Sequence, residues 1–172
     1  MSQKILQMQM AFVPVQDRLM FRLRTTNRAE FKLWFTRRYV KLLWQSVQRM
    51  LTNTQSGIIA DSQTKQAMIS LQHEEALANV DFKTQYREEK EIDRPLGNEP
   101  VLVSKIQVKP GPGDDTQVLC LQPEKGNGLE IVFDSTLLHT FCKLIEESVQ
   151  KTDWDLDCRI VDHTMPVSQT AH

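Results

Sequence analysis

Apolar residues alternate with polar ones in three successive stretches, KILQMQMAFV (4–13), RLMFRLR (18–24) and EFKLWF (30–35), the period of a half-buried strand. After Phe35 the spacing changes. Val40, Leu43, Val47 and Leu51 recur every three or four positions, so a helix follows directly on the third strand. The same series returns further on: VLVSKIQVK (101–109), a strand from Thr116, LEIVF (129–133), and a helix marked by Leu138, Phe141, Ile145 and Val149. The two series align at a constant offset of 98, so that Phe21 meets Leu119, Leu33 meets Ile131, and Thr36 meets Asp134 as candidate N-caps. Turn-forming clusters separate the runs, among them PGPGDD at 110–115 and PEKGNG at 123–128. These features predict an α+β protein of two antiparallel β-β-β-α repeats about a pseudo-two-fold axis, each meander covered on one face by its helix.

Between the repeats, DSQTKQAMISLQHEEALANV (61–80) runs without Gly or Pro and predicts an additional helix. YREEKEIDRPLGNEP (86–100) has little apolar content and reads as a solvated linker, and the chain after Asp153 reads as a polar, poorly ordered tail. The expected organisation is one compact domain: a first repeat over 1–53, an inserted helix and linker over 54–100, a second repeat over 101–152, and the tail over 153–172.

Strand alternation also assigns faces. Leu6, Met8, Met10, Phe12, Leu19, Phe21, Leu23, Phe31, Leu33 and Phe35 are expected to point into the core. The other face of the first meander then carries Gln7, Gln9, Arg18, Met20, Arg22, Arg24, Glu30, Lys32 and Trp34. The matching face of the second carries Val118, Cys120, Gln122, Glu130 and Val132 and is neutral.

Charge sharpens this contrast. Of 172 residues with net charge −1, the first 53 hold ten Lys or Arg against Asp17 and Glu30, while the remainder hold eleven bases and twenty acids. Such a polarised chain either folds its halves against each other or offers a basic face to an anionic partner. Four bases and an indole on one sheet face suit single-stranded nucleic acid, with cations on phosphates and the indole stacked on a base. Arg37 and Arg38 add two guanidinium groups at a helix start, where free N–H groups already concentrate positive charge. An anion would relieve that crowding: an external phosphate, or an internal carboxylate such as the cluster from Glu88 to Asp93. The candidate nucleic-acid contacts are therefore Arg18, Arg22, Arg24, Lys32, Trp34, Arg37 and Arg38. A plainer alternative is a solvated face with Trp34 packed beneath the extra helix.

Other chemistry is hard to assemble. His139 and Cys142 stand at i, i+3, but Cys142 matches Trp44 at the edge of an apolar stripe and reads as structural. No phosphate-binding glycine loop, HExxH or GxSxG occurs, and neither enzyme activity nor a cofactor is expected. Three cysteines without CxxC spacing, no signal peptide and no apolar run of membrane-spanning length point to a reduced cytoplasmic protein. The run RLMFRLRTTNRAEFKLWFTRRYVKLLW resembles uncharacterised proteobacterial proteins with an RLWLTRR-type segment before a helix, a resemblance that implies no activity. The duplicated meander and helix is similar in topology to the Whirly and Pur-type repeats, which bind single-stranded nucleic acid but use four strands before the helix where this chain has three. The expected partner is thus single-stranded DNA or RNA, with an acidic protein, or another copy of the chain meeting the Val118, Cys120 and Val132 face, as the alternative.

Overall fold

The computed structural model describes residues 4–53, 62–78 and 91–160. The elements run β1 (Ile5–Val13), β2 (Arg18–Thr25), β3 (Glu30–Phe35), α1 (Arg37–Asn53), α2 (Ser62–Ala78), β4 (Val101–Pro110), β5 (Gln117–Pro123), β6 (Leu129–Phe133) and α3 (Ser135–Gln150). The alternating runs became strands and the 3.6-spaced runs became helices. Thr36 Oγ1 accepts from the Tyr39 N–H at 3.1 Å and Asp134 Oδ1 from the Leu137 N–H at 2.8 Å, so both N-caps form.

All six strands join one mixed sheet in sequence order. Neighbours are antiparallel except in the middle, where β3 and β4 run parallel with Leu33 opposite Val101 and Trp34 opposite Leu102. The ladders of the two halves share one register: Met10 faces Phe21 and Val108 faces Leu119, Phe21 faces Leu33 and Leu119 faces Ile131. Even the irregularities correspond. A register shift falls between Ile5 and Gln7 and another between Val103 and Lys105. Asp17 and Asp115 take positive φ (51° and 59°), as do Arg28 and Gly126 (61° and 95°).

The bulge corrects one expected core position. An extra residue breaks the inward alternation, so Leu6 is turned out at 53% exposure while Ile5 packs against the core. Met10 is buried, and Met8 and Phe12 are half-buried against the same cluster. From β2, β3, β5 and β6 the inward residues are Leu19, Phe21, Leu23, Phe31, Leu33, Phe35, Leu119, Leu121, Leu129, Ile131 and Phe133, all buried. α1 supplies Tyr39, Val40, Leu43, Trp44, Val47, Met50 and Leu51, and α3 supplies Leu138, Phe141, Cys142, Ile145 and Val149.

Both halves share this core. Phe21 stacks on Phe35 at 5.5 Å and meets Phe141 edge-on at 5.4 Å, and Phe141 in turn lies 5.2 Å from Phe133. Pairs of this kind contribute roughly 0.5–1.5 kcal/mol beyond their area. Each helix also reaches the other half, α1 packing on β4 and α3 on β1. The Tyr39 hydroxyl donates to the Lys105 carbonyl at 3.1 Å, and the Ser148 hydroxyl donates to that of Met10 at 3.3 Å. α2 lies on α3 and α1.

Two segments expected to be solvated are tied down. Past Asp153, Trp154 and Cys158 are buried and Leu156 and Ile160 pack beside the core. The Trp154 indole donates to Asp17 Oδ1 at 2.6 Å and meets Phe12 edge-on. These four residues alternate, a strand-like apolar pattern hidden among acids. In the linker, Ala29 and Asp93 form a parallel bridge and Leu96 packs on the core. Residues 79–90 and 161–172, including Glu88 and His163, lie outside the described residues.

Candidate nucleic-acid interface

The outer face of β1–β3 is set by cross-strand pairing. Arg22 stands opposite Lys32 and beside Gln9, Met20 opposite Trp34 and beside Ala11, and Arg24 opposite Glu30 and beside Gln7. Arg18, Met20, Arg22, Lys32 and Trp34 are all half-buried. Trp34 is flanked by Met20 and, across the parallel seam, by Leu102, which is 44% exposed. Because α2 rests on the other two helices, Trp34 belongs to the sheet's own outer surface.

Arg24 departs from the expected contact set. It is buried, and so is Glu30 opposite it. Glu30 accepts from Arg94 Nε at 3.2 Å and lies 3.7 Å from Lys32 Nζ. The cause is the linker, which runs along β3: the Glu30 N–H donates to the Asp93 carbonyl at 2.8 Å and the Asp93 N–H to the Arg28 carbonyl at 2.8 Å. That backbone pairing brings Arg94 onto Glu30. A buried carboxylate needs such partners, since desolvation without them costs several kcal/mol. Arg94 is the basic residue that strand alternation could not find. Its only local signal is a position just before Pro95 in an otherwise acidic stretch.

The linker answers part of the question about Arg37 and Arg38. Its described carboxylates are Glu91, Asp93 and Glu99, all exposed, and its Arg94 engages Glu30. Arg37 and Arg38 are exposed, and the first turn of α1 contains no acidic residue. The Thr36 hydroxyl caps one N–H there. The register of Leu19 with Phe35 brings Arg18 to the same end of the sheet. Arg18, Arg22 and Lys32 on the sheet thus continue into Arg37 and Arg38 on the helix start, with Trp34 among them.

The second half has a different outer face. Lys109 Nζ pairs with Glu130 Oε1 at 3.0 Å, and Cys120 Sγ lies 3.6 Å from the same oxygen. Burial, then the Glu130 charge, push the Cys120 thiol upward, which favours its protonated form. Cys120 is fully buried, which removes it from any contact surface and leaves Val118 and Val132 there.

His139 makes an interaction that spacing could not reveal. Its Nδ1 lies 2.9 Å from Nδ1 of His73 on α2, both rings buried. One imidazole donates and the other accepts, so the two carry opposite tautomers. Burial, with Lys143 adding to it, lowers His73 to about 4, and burial, then His73, lowers His139 to about 4. Burial raises Cys142 and takes Cys158 up to about 11. Among the described residues no three His, Cys, Asp or Glu side chains gather as a metal site. No helix among them is long and apolar enough to cross a membrane.

Compared with protein-family models, curated proteins and solved structures, the chain has no match.

Proposed function

We propose that the chain is a small non-enzymatic protein that binds single-stranded nucleic acid on the outer face of β1–β3. Arg18, Arg22, Lys32, Arg37 and Arg38 contact phosphates and Trp34 stacks on a base, while Arg24, being buried, is left out of the contact set. The observation that carries this reading is the placement of Arg22 directly opposite Lys32, beside the Met20 and Trp34 pair, continuing to an acid-free helix start with exposed Arg37 and Arg38. A phosphate at this face would gain charge-assisted hydrogen bonds from both the Arg22 and Lys32 side chains.

We also read the chain as two β-β-β-α units about a pseudo-two-fold axis. The shared register, the matching bulges and turns, and the reciprocal contacts of α1 with β4 and α3 with β1 support it.

Indole fluorescence offers a direct test, because Trp44 and Trp154 are buried and Trp34 is half-buried on the face itself. Titration with short DNA and RNA strands at low salt is expected to quench the signal, and Trp34→Phe to remove most of the change. Trp34→Ala is expected to weaken binding by roughly 1–3 kcal/mol. Absence of binding at low salt would leave an acidic protein as the partner of the same charges; charge reversal at Arg38 would then disrupt a protein complex.

A further inference from the structure

Met20, Trp34 and Leu102 stand side by side in register on neighbouring strands, and the exposed Ala11 completes the row on β1. Strands lie about 4.8 Å apart, so the row spans about 14 Å of the outer face. It does not stop at the first half, because Leu102 belongs to β4 and is 44% exposed. Cations flank the row on both sides. Arg22 and Lys32 hold the next outward positions on one side. On the other lie Arg18, the start of α1 with Arg37 and Arg38, and Lys105 further along β4. The Lys105 carbonyl accepts at 3.1 Å from the hydroxyl of Tyr39, the residue after Arg38, which ties β4 there to the first turn of α1. Its side chain faces outward: Lys105 is exposed opposite the exposed Gln122, while Val103 and Ile106 pack inward. Lys109, beyond it on the same strand, is already paired with Glu130.

We propose that the single strand crosses the parallel seam, running transverse to the β-strands with bases over Met20, Trp34 and Leu102 and phosphates among the flanking cations, Lys105 included. This rests on the nucleic-acid reading of the same face and extends it to two residues of the second half. A four-stranded sheet face seats two or three stacked bases. The row offers the indole N–H as its one side-chain donor, so bases are held by stacking and apolar contact instead of by their hydrogen-bonding edges. The ligand class is therefore an unpaired strand bound with little regard to sequence. In a duplex the base faces are stacked on one another and cannot reach the row.

The probe is a fluorescein-labelled oligothymidylate of about ten nucleotides, within the length that single-strand sites occupy, titrated into the full chain and followed by anisotropy. Leu102→Trp sets a second indole beside Trp34 and should tighten binding by about fivefold or more, the gain of one further stacked base. Annealing the probe to its complement should abolish that gain. Lys105→Gln should flatten the slope of log affinity against log salt by about 0.7, whereas Lys109→Gln, which removes a cation held by Glu130, should leave it unchanged. The inference is overturned if the wild type binds and weakens with Trp34→Ala while either Leu102→Trp or Lys105→Gln behaves as the wild type does; the nucleic-acid reading then stands, with its contacts confined to β2, β3 and the start of α1. A gain that persists on the duplex, or equal flattening by Lys105→Gln and Lys109→Gln, overturns it as well. No binding of the probe by the wild type at low salt overturns both this inference and the reading beneath it.

Discussion

The two halves share an inward face and differ outward. At matching inward positions an apolar residue stands in both: Phe21 and Leu119, Leu33 and Ile131, Phe35 and Phe133. At matching outward positions the chemistry changes: Arg22 against Cys120, Lys32 against Glu130, Trp34 against Val132, and at the helix starts Arg37 and Arg38 against Ser135 and Thr136. Inward residues are constrained by a close-packed core, where a lost methylene is felt, whereas outward ones are constrained only by what they meet. The first half therefore carries a basic, indole-bearing surface and the second a nearly neutral one. The second half is a built-in control for the first.

The largest effect that can break this comparison is in the core. Leu33 and Ile131 are opposite Phe21 and Leu119 and both are buried. Leu33→Ala and Ile131→Ala are each expected to destabilise by roughly 2–5 kcal/mol in chemical denaturation. A cost below about 1 kcal/mol at one site and not the other would mean that the two halves of the sheet are not packed alike.

Most of the architecture was legible because alternation and 3.6-residue spacing are local signals. Every strand and both capped helices could be placed from residues such as Phe31, Leu33 and Phe35 or Val40, Leu43 and Val47. What escaped depends on distant partners or on single-residue irregularities. The bulge that turns out Leu6 leaves no compositional mark. The parallel seam joins residues far apart in sequence, as does the Glu30–Arg94 pair. Trp154, Leu156, Cys158 and Ile160 alternate, but four apolar residues in an acidic stretch were outweighed by its mean polarity. For the candidate interface, Arg18, Arg22, Lys32 and Trp34 lie on the sheet face and Arg37 and Arg38 at the helix start as the pattern placed them, whereas the exposure of Arg24 was not readable from strand alternation alone.

A second difference between the halves follows from α2. His139 on α3 matches Lys41 on α1; Lys41 is exposed, whereas His139 is buried against His73. Both histidines are lowered from 6.5 to about 4. The unfolded chain therefore binds more protons than the folded one between those values. Stability from the pair is complete above about pH 6.5 and falls as pH drops toward 4, by at most about 1.4 kcal/mol per pH unit for each histidine. Urea denaturation at pH 7, 6 and 5 should show this slope, and the His73→Leu, His139→Phe double variant should lose most of it. An unchanged slope in that variant would assign the acid sensitivity to other groups.

The smallest and most specific effect concerns salt. Each phosphate neutralised on a single strand contributes about 0.7 to the slope of log affinity against log salt. Arg22→Gln and Arg38→Gln should each flatten that slope by about that amount, whereas Trp34→Ala should lower affinity and leave the slope nearly unchanged. The control substitutions lie at matching places on the neutral face, Val132→Ala and Thr136→Ala, where neither affinity nor slope is expected to move. Val132 is 37% exposed and Thr136 exposed, so neither change disturbs the core. If the Arg and control variants behaved alike, binding would be spread over the protein's general charge, and the contrast between the two outer faces would have no functional meaning. A slope lost only with Arg22 and Arg38 would locate the strand along β2, β3 and the first turn of α1.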